Sequence, residues 1–305
     1  MNKPLKYGLF LFAAVAGIEL VIFVIFELLT KNLGFFSLLK FTIFVLAILL
    51  SSFFVVFIVL NTVPYFRKFL IKERSLTRFQ NLSHPLLLKL SLEAPGTYHH
   101  SLTVANLSYN AAKAIGADTI LARIGGYYHD IGKLKDPLLF IENQDTAENG
   151  IIFENLPDIK NRAKQIIDHV HYGLLLGQEH SLPEEIAGFI AEHHGTTTTL
   201  YFVNAAQKIN PKINTDIFTY PGPKPLSRET AIVMLADAIE ATLRLVKNID
   251  SDKIAQIVDE AINNRLNERQ LDLAGLTQKD VEKIRDSFIK TLGTVHHQRI
   301  NYRKN

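Results

Sequence analysis

Apolar residues follow two different patterns along this chain. From Tyr7 to about Leu29 (YGLFLFAAVAGIELVIFVIFELL) almost every position is apolar, with Glu19 and Glu27 as the interruptions, and Phe41 to Leu60 carries no charge. A run of about 20 such residues spans the hydrocarbon core of a bilayer as a helix, so two transmembrane helices are predicted, at about 7–30 and 41–63. The first run is too long for a signal-peptide core and lacks a small-residue cleavage site. Lys3 and Lys6 precede the first span, and Arg67, Lys68, Lys72 and Arg74 follow the second, whereas Lys31 and Lys40 are the basic residues between them. The positive-inside bias therefore puts both ends in the cytoplasm of a multi-pass cell-membrane protein. Glu19 and Glu27 are costly in lipid and are expected to face a partner helix or an interface.

From Asn81 onward the period changes to three and four residues, the mark of amphipathic helices. Ala94-Pro95-Gly96 precedes a helix with Thr97 as its expected N-cap, and Asp136-Pro137 closes a helix-like run ending YYHDIGK. Leu182-Pro183-Glu184-Glu185 opens another helix that stops at Gly195, and the rigid loop Tyr220 to Pro225 leads into the apolar helix RETAIVMLADAIEATLRLV, with Asp237 in its middle. Glu142 to Glu148 reads as loop. The C-terminal stretch reads as a polar helix pair, interrupted over Leu273 to Lys279, that serves as a solvated lid or a self-association surface in a homo-oligomer. The fold class is all-α: a membrane region over 1–66, a juxtamembrane linker over 67–80, a helical domain over 81–250 and a helical extension over 251–305.

Composition narrows the chemistry. The 305 residues carry a formal net charge of +3 and no cysteine. The weak charge argues against a nucleic-acid polymer as partner, and the missing thiols exclude a disulfide scaffold and a thiolate metal site. A metal would have to be held by imidazole and carboxylate, which suits iron, manganese or zinc. Five of the eleven histidines lie on apolar helices or at their ends: His100, His129 (followed by Asp130), His169, His193 and His194. With Asp130 and Asp237 they make a sufficient set for two ions. The residues alone do not separate His100 from His99, or His169 from His171. His84, His180, His296 and His297 have no partner pattern and are expected at the surface.

The order H…HD…H…HH…D resembles the HD-domain superfamily of metal-dependent phosphohydrolases. The stretches APGTYHHS, YYHDIGK, FIENQ, HHGT and YPGPKPLSRETAIVMLADAIEA, over about residues 84–245, are similar to the membrane-anchored cyclic di-AMP phosphodiesterases of the PgpH type. The family usually has an extracellular domain and further spans ahead of the catalytic domain, so this chain is expected to be a short form or a fragment. It also has Asn149-Gly150-Ile151-Ile152 where the family tends to show Asn-Pro-His-Asp, which leaves that loop's substrate contacts open but not the metal ligands.

The resemblance implies an all-helical HD phosphohydrolase domain and two divalent transition metal ions, iron or manganese. One ion would be held by His100, His129, Asp130 and Asp237, and the other by His169, His193 and His194, with Asp130 bridging. A carboxylate can span ions about 3.5–4 Å apart, whereas a neutral imidazole offers one lone pair. A metal-activated hydroxide would then open cyclic di-AMP to pApA. Lys133, one turn beyond Asp130, is placed to neutralise a phosphate oxygen. Tyr220 or Tyr201 is available to stack on a base, and Arg228 and Arg244 are further phosphate candidates. The alternatives are an HD phosphatase or nucleotidase acting on another phosphate ester, and a membrane-bound sensor that binds nucleotide without cleaving it.

Overall fold

The computed structural model describes residues 76–144, 155–246 and 249–301, together with 15, 17–19, 21, 24, 46–59 and 61 nearer the N-terminus. The chain divides into two compact units, Met1–Ser75 and Leu76–Asn305. In the first, residues 46–59 are helical, and the Glu19 carboxylate accepts hydrogen bonds from the Ser51 hydroxyl at 2.7 and 2.8 Å. The first expected span lies largely outside the described residues and the second partly so; among those described, no helix is long and apolar enough to cross a membrane.

The second unit is helical. In order, it holds α1 (Pro85–Glu93), α2 (Pro95–Ile115), α3 (Thr119–Tyr128), α4 (Leu156–Ile167), α5 (His169–Glu179), α6 (Glu184–Glu192), α7 (Leu200–Ile209), α8 (Arg228–Arg244), α9 (Ser251–Asn267) and α10 (Gln278–Asn301). Short 3-10 turns at Ile131–Lys135, Pro137–Leu139 and Ile141–Asn143 follow α3. Polar side chains cap the helix starts. Asp118 accepts from the Ile120 and Leu121 amides, Asn155 from Asp158, and Ser227 and Thr230 form a reciprocal capping box on α8.

The main core joins α2, α8, α9 and α10 through Val104, Leu107, Ile232, Leu235, Ile257, Val258, Ile284 and Phe288. α8 is buried on nearly all sides, as its unbroken apolar run requires. A second cluster packs α1 and α6 against α3 through Leu86, Leu87, Ile124, Tyr128, Ile186 and Ile190.

Four local expectations are corrected. Thr97 is not an N-cap: Pro95, which fits the first helical position, starts α2 directly after Ala94, and Thr97 bonds instead to Glu142 and Asn143. YYHDIGK is not continuous helix, because α3 ends at Tyr128 and the chain leaves helical geometry at Asp130 (φ −108°, ψ 14°). The C-terminal pair is no solvated lid, since Ile254, Ile262, Phe288 and Leu292 are buried in the main core. His84 is half-buried rather than superficial; it caps α1 through Nδ1 and rests against Phe79 and Tyr128.

Candidate metal centre

Five backbone segments converge on one buried point. α2 supplies His100, the residues directly after α3 supply His129 and Asp130, α5 begins with His169, the residues directly after α6 supply His193 and His194, and α8 supplies Asp237. Successive side chains on an ideal helix diverge by about 100°, so His129 and Asp130 could not both face this point from inside α3. The break after Tyr128 lets them converge, with His129 Nε2 3.4 Å from Asp130 Oδ2. Gly132 then brings the turn against α5, because a Cβ there would lie 1.8 Å from the His169 carbonyl oxygen.

The donor atoms form two groups that share Asp130: His100, His129, Asp130 and Asp237, and Asp130, His169, His193 and His194. In the first, His100 Nε2 lies 3.3 Å from His129 Nε2, 3.1 Å from Asp237 Oδ1 and 3.5 Å from Asp130 Oδ2. In the second, Asp130 Oδ1 lies 3.4 Å from His169 Nε2 and 3.6 Å from His193 Nε2, and these nitrogens are 3.2 Å apart. Each carboxylate oxygen of Asp130 thus faces its own set of histidines. His194 turns Nδ1 towards Asp237 Oδ2 at 3.7 Å.

The donor set fits a metal on three counts. Ligands about 2.1 Å from a common ion sit about 3.0–3.4 Å apart at right or tetrahedral angles, close to most of the separations found. Three rings direct Nδ1 at main-chain carbonyls: His129 at Gly126 (2.9 Å), His169 at Ile166 (2.6 Å) and His193 at Phe189 and Ile190 (3.1 and 3.0 Å). A carbonyl only accepts, so Nδ1 carries the proton and a bare Nε2 lone pair points inward. Such nitrogens packed face to face beside carboxylates call for a cation. Asp130 Oδ2, finally, is buried with no hydrogen-bond partner among the described residues.

Lys133 Nζ comes within 2.7 Å of Asp130 Oδ2 without hydrogen-bond geometry, and donates to Glu142 Oε1 at 2.8 Å. Burial works against the ammonium charge, but Asp130, Glu142 and Asp237 outweigh it and raise the lysine pKa. Burial would likewise raise the Asp130 pKa, yet Lys133 and the histidines hold it well below the usual carboxylate range. For His100, burial is overcome by Asp237, Glu240 and Asp130, which push its pKa up to about 9, whereas burial lowers His193 and His194.

The geometry separates the ambiguous histidines. His100 and His169 are buried in the cluster, and His99 and His171 are exposed. His180 is exposed, and the side chains of His296 and His297 lie outside those described. Tyr220 stacks on His194 at 4.1 Å between ring centroids, and Tyr201 is 55% exposed on α7. Arg244 is exposed and pairs with Glu240, which contacts His100. Arg228 is not brought to the cluster: it opens α8 nine positions before Asp237, about 13 Å away along the axis, and acts on Asp280.

Sequence reasoning missed Glu240, although its i+3 spacing from Asp237 puts both on one helix face. It also missed Glu142, read as loop, and Gln270. The Gln270 side chain is buried under the corner after His194, accepting from the Thr196 amide at 3.0 Å and donating to the Thr196 hydroxyl at 3.0 Å. That corner turns at Gly195, whose φ of 52° favours glycine.

The sequence profile of the HD domain family matches residues 97–242, the stretch that contains every residue of both groups. A crystal structure of the Listeria monocytogenes phosphodiesterase PgpH HD domain in complex with cyclic-di-AMP superposes with a TM-score of 0.66. It is 37% identical and covers 70% of this chain and 99% of that one. The chain belongs to the HD-domain family. The cyclic-di-AMP phosphodiesterase PgpH of Bacillus subtilis is 36% identical over 304 residues, 99% of this chain and 41% of the relative. PgpH of L. monocytogenes is 38% identical over 233 residues, 76% of this chain and 32% of the relative. The chain therefore spans well under half the length of these curated relatives, and its similarity to HD-domain proteins of the PgpH kind runs through both of its units.

Proposed function

We propose that this chain is a metal-dependent phosphodiesterase that hydrolyses cyclic di-AMP to pApA. The observation that carries the reading is Asp130, which offers one oxygen to each of two histidine groups in a buried pocket. His100, His129, Asp130 and Asp237 would hold one divalent transition metal ion, iron or manganese, and Asp130, His169, His193 and His194 the other. Bound there, the ions would supply Lewis-acid neutralisation of phosphate oxygens and acidify water. The names of the PgpH relatives and the cyclic-di-AMP complex of the similar Listeria domain support the substrate.

The chain's own residues set the rest. Partial exposure of the His194, Asp237 and Lys133 side chains, at 22%, 12% and 13%, marks the open side of the pocket. A phosphate entering there meets Lys133, kept cationic by Asp130 and Glu142, which can turn its ammonium onto a non-bridging oxygen. Tyr220, buried with its ring stacked on His194, walls the same side, and turned outward its ring would offer a face to a base. Arg244 is a second-line cation already committed to Glu240, and with Arg228 so far along α8, substrate contact is assigned to Lys133 and Tyr220.

We further assign the first unit to the cell membrane, with the N-terminus and the catalytic unit in the cytoplasm. The two apolar runs and their basic flanks support this, as do the outward-facing Leu50, Phe53, Phe54 and Phe57 on the 46–59 helix. The test of function is the double variant His129→Ala with Asp130→Ala in the full-length chain. It should still insert in the membrane while losing both bound metal and turnover; retention of full activity would refute the assignment.

A further inference from the structure

Four rings present Nε2 to the two groups, and three are steered by neutral main-chain carbonyls. His100 differs. Its Nδ1 makes a short contact with the carboxylate of Glu240, one turn beyond Asp237 on α8, and Arg244 Nη2 holds both oxygens of that carboxylate at 2.8 and 2.9 Å. Among the described residues Glu240 forms hydrogen bonds or ion pairs with His100 and Arg244 and with no other candidate ligand, so the metal-site reading gives it no role.

We propose that Glu240 is a positioning residue that makes the two metal sites unequal, so that the ion held through His100 is bound more tightly than the ion held by His169, His193 and His194. A carboxylate can only accept from Nδ1–H, so it fixes the ring with Nε2 bare and facing inward. An anionic acceptor also transfers electron density through the ring and makes Nε2 a stronger donor, which a neutral carbonyl does less. The surroundings add in the same direction. The His100 group has Asp130 and Asp237 as ligands with Glu240 behind them, whereas the other group has Asp130 as its carboxylate ligand. Arg244 balances Glu240 and fixes its orientation from the far side, so the carboxylate keeps its place while no ion is bound.

This rests on both groups taking ions, and the test separates the two claims. The full-length chain and its Glu240→Gln variant, which has nearly the same shape without the charge, are loaded with manganese and titrated with a chelator while bound metal is counted. Wild type should release its ions in two steps. The variant should release its tighter ion about 10–100-fold more readily, the usual consequence of losing a partner behind a metal-ligating histidine, with the weaker step unchanged. Identical chelator curves or equal weakening of both steps would overturn the inference. A wild type that binds no manganese would remove the two-metal reading, and this inference with it.

Discussion

Gly132 is where a single methyl group decides between two opposing effects. Replacing glycine by alanine within a helix ordinarily stabilises it by about 1 kcal/mol. At Gly132 the new Cβ would lie 1.8 Å from the His169 carbonyl oxygen, 2.5 Å from the Gly173 nitrogen and 2.9 Å from the Gly173 Cα. A carbon rests about 3.3 Å or more from a carbonyl oxygen, so the turn and α5 would have to separate by about 1.5 Å. All three obstructing atoms are backbone and cannot rotate away. Overpacking of this kind costs about 1–3 kcal/mol, a net loss of up to about 2 kcal/mol once the helix gain is set against it. For a unit of this size each kcal/mol moves the midpoint by about 2–4 °C, so Gly132→Ala should melt up to about 8 °C lower. The displaced segment is the first turn of α5, which carries His169. A misplacement of about 1 Å at a reacting centre can lower turnover about 100-fold. The assay is thermal unfolding with metal analysis and cyclic di-AMP turnover on one preparation. A variant that melts with wild type, keeps its full metal content and turns over normally would show that the close approach of the turn to α5 is not a constraint.

Three further outcomes follow from neighbouring residues. Lys133→Met should keep both ions, which compensate Asp130 themselves, yet lower kcat about 100-fold through loss of one electrostatic donor; an unchanged kcat would remove Lys133 from the reaction. His169→Ala should lose one ion, whereas exposed His171→Ala should keep two, and metal analysis of the pair checks the choice between them. Burial, His180 and Arg78 lower the His84 pKa in the folded chain, so below about pH 6.5 the unfolded chain binds the proton more readily and stability rises with pH. That contribution is present above the unfolded value and is lost as pH falls through the folded one. His84→Asn, which can cap α1 without titrating, should flatten the fall in melting temperature on acidification, and an unaltered pH profile would exclude His84 as its source.

Much of the candidate cluster was legible because its members sit in local patterns: a histidine on an apolar helix face or just past a helix end, or an acid in the middle of α8. Spacing did not say which of His99 and His100 points inward; burial settles it, and the family motif had selected the buried one. The misreadings share a cause. Thr97 looked like a cap because a capping residue and a tertiary hydrogen-bond donor look alike in sequence, and its partners Glu142 and Asn143 are more than 40 positions away. Glu142 looked like loop because one 3-10 turn leaves no periodic trace. The C-terminal helices looked solvated because their apolar residues are sparse, although Ile254, Ile257, Val258 and Ile262 lie on one face, as do Ile284, Phe288 and Leu292. Gln270 gave no signal at all, since its function depends on the corner it supports.

The central claim is most directly tested by purifying the full-length chain without oxygen, counting its bound transition metal, and incubating it separately with cyclic di-AMP and cyclic di-GMP. The account expects two ions per chain and release of pApA from cyclic di-AMP. Two ions with neither dinucleotide cleaved would contradict the assigned substrate, and a chain that binds no metal would contradict the site itself.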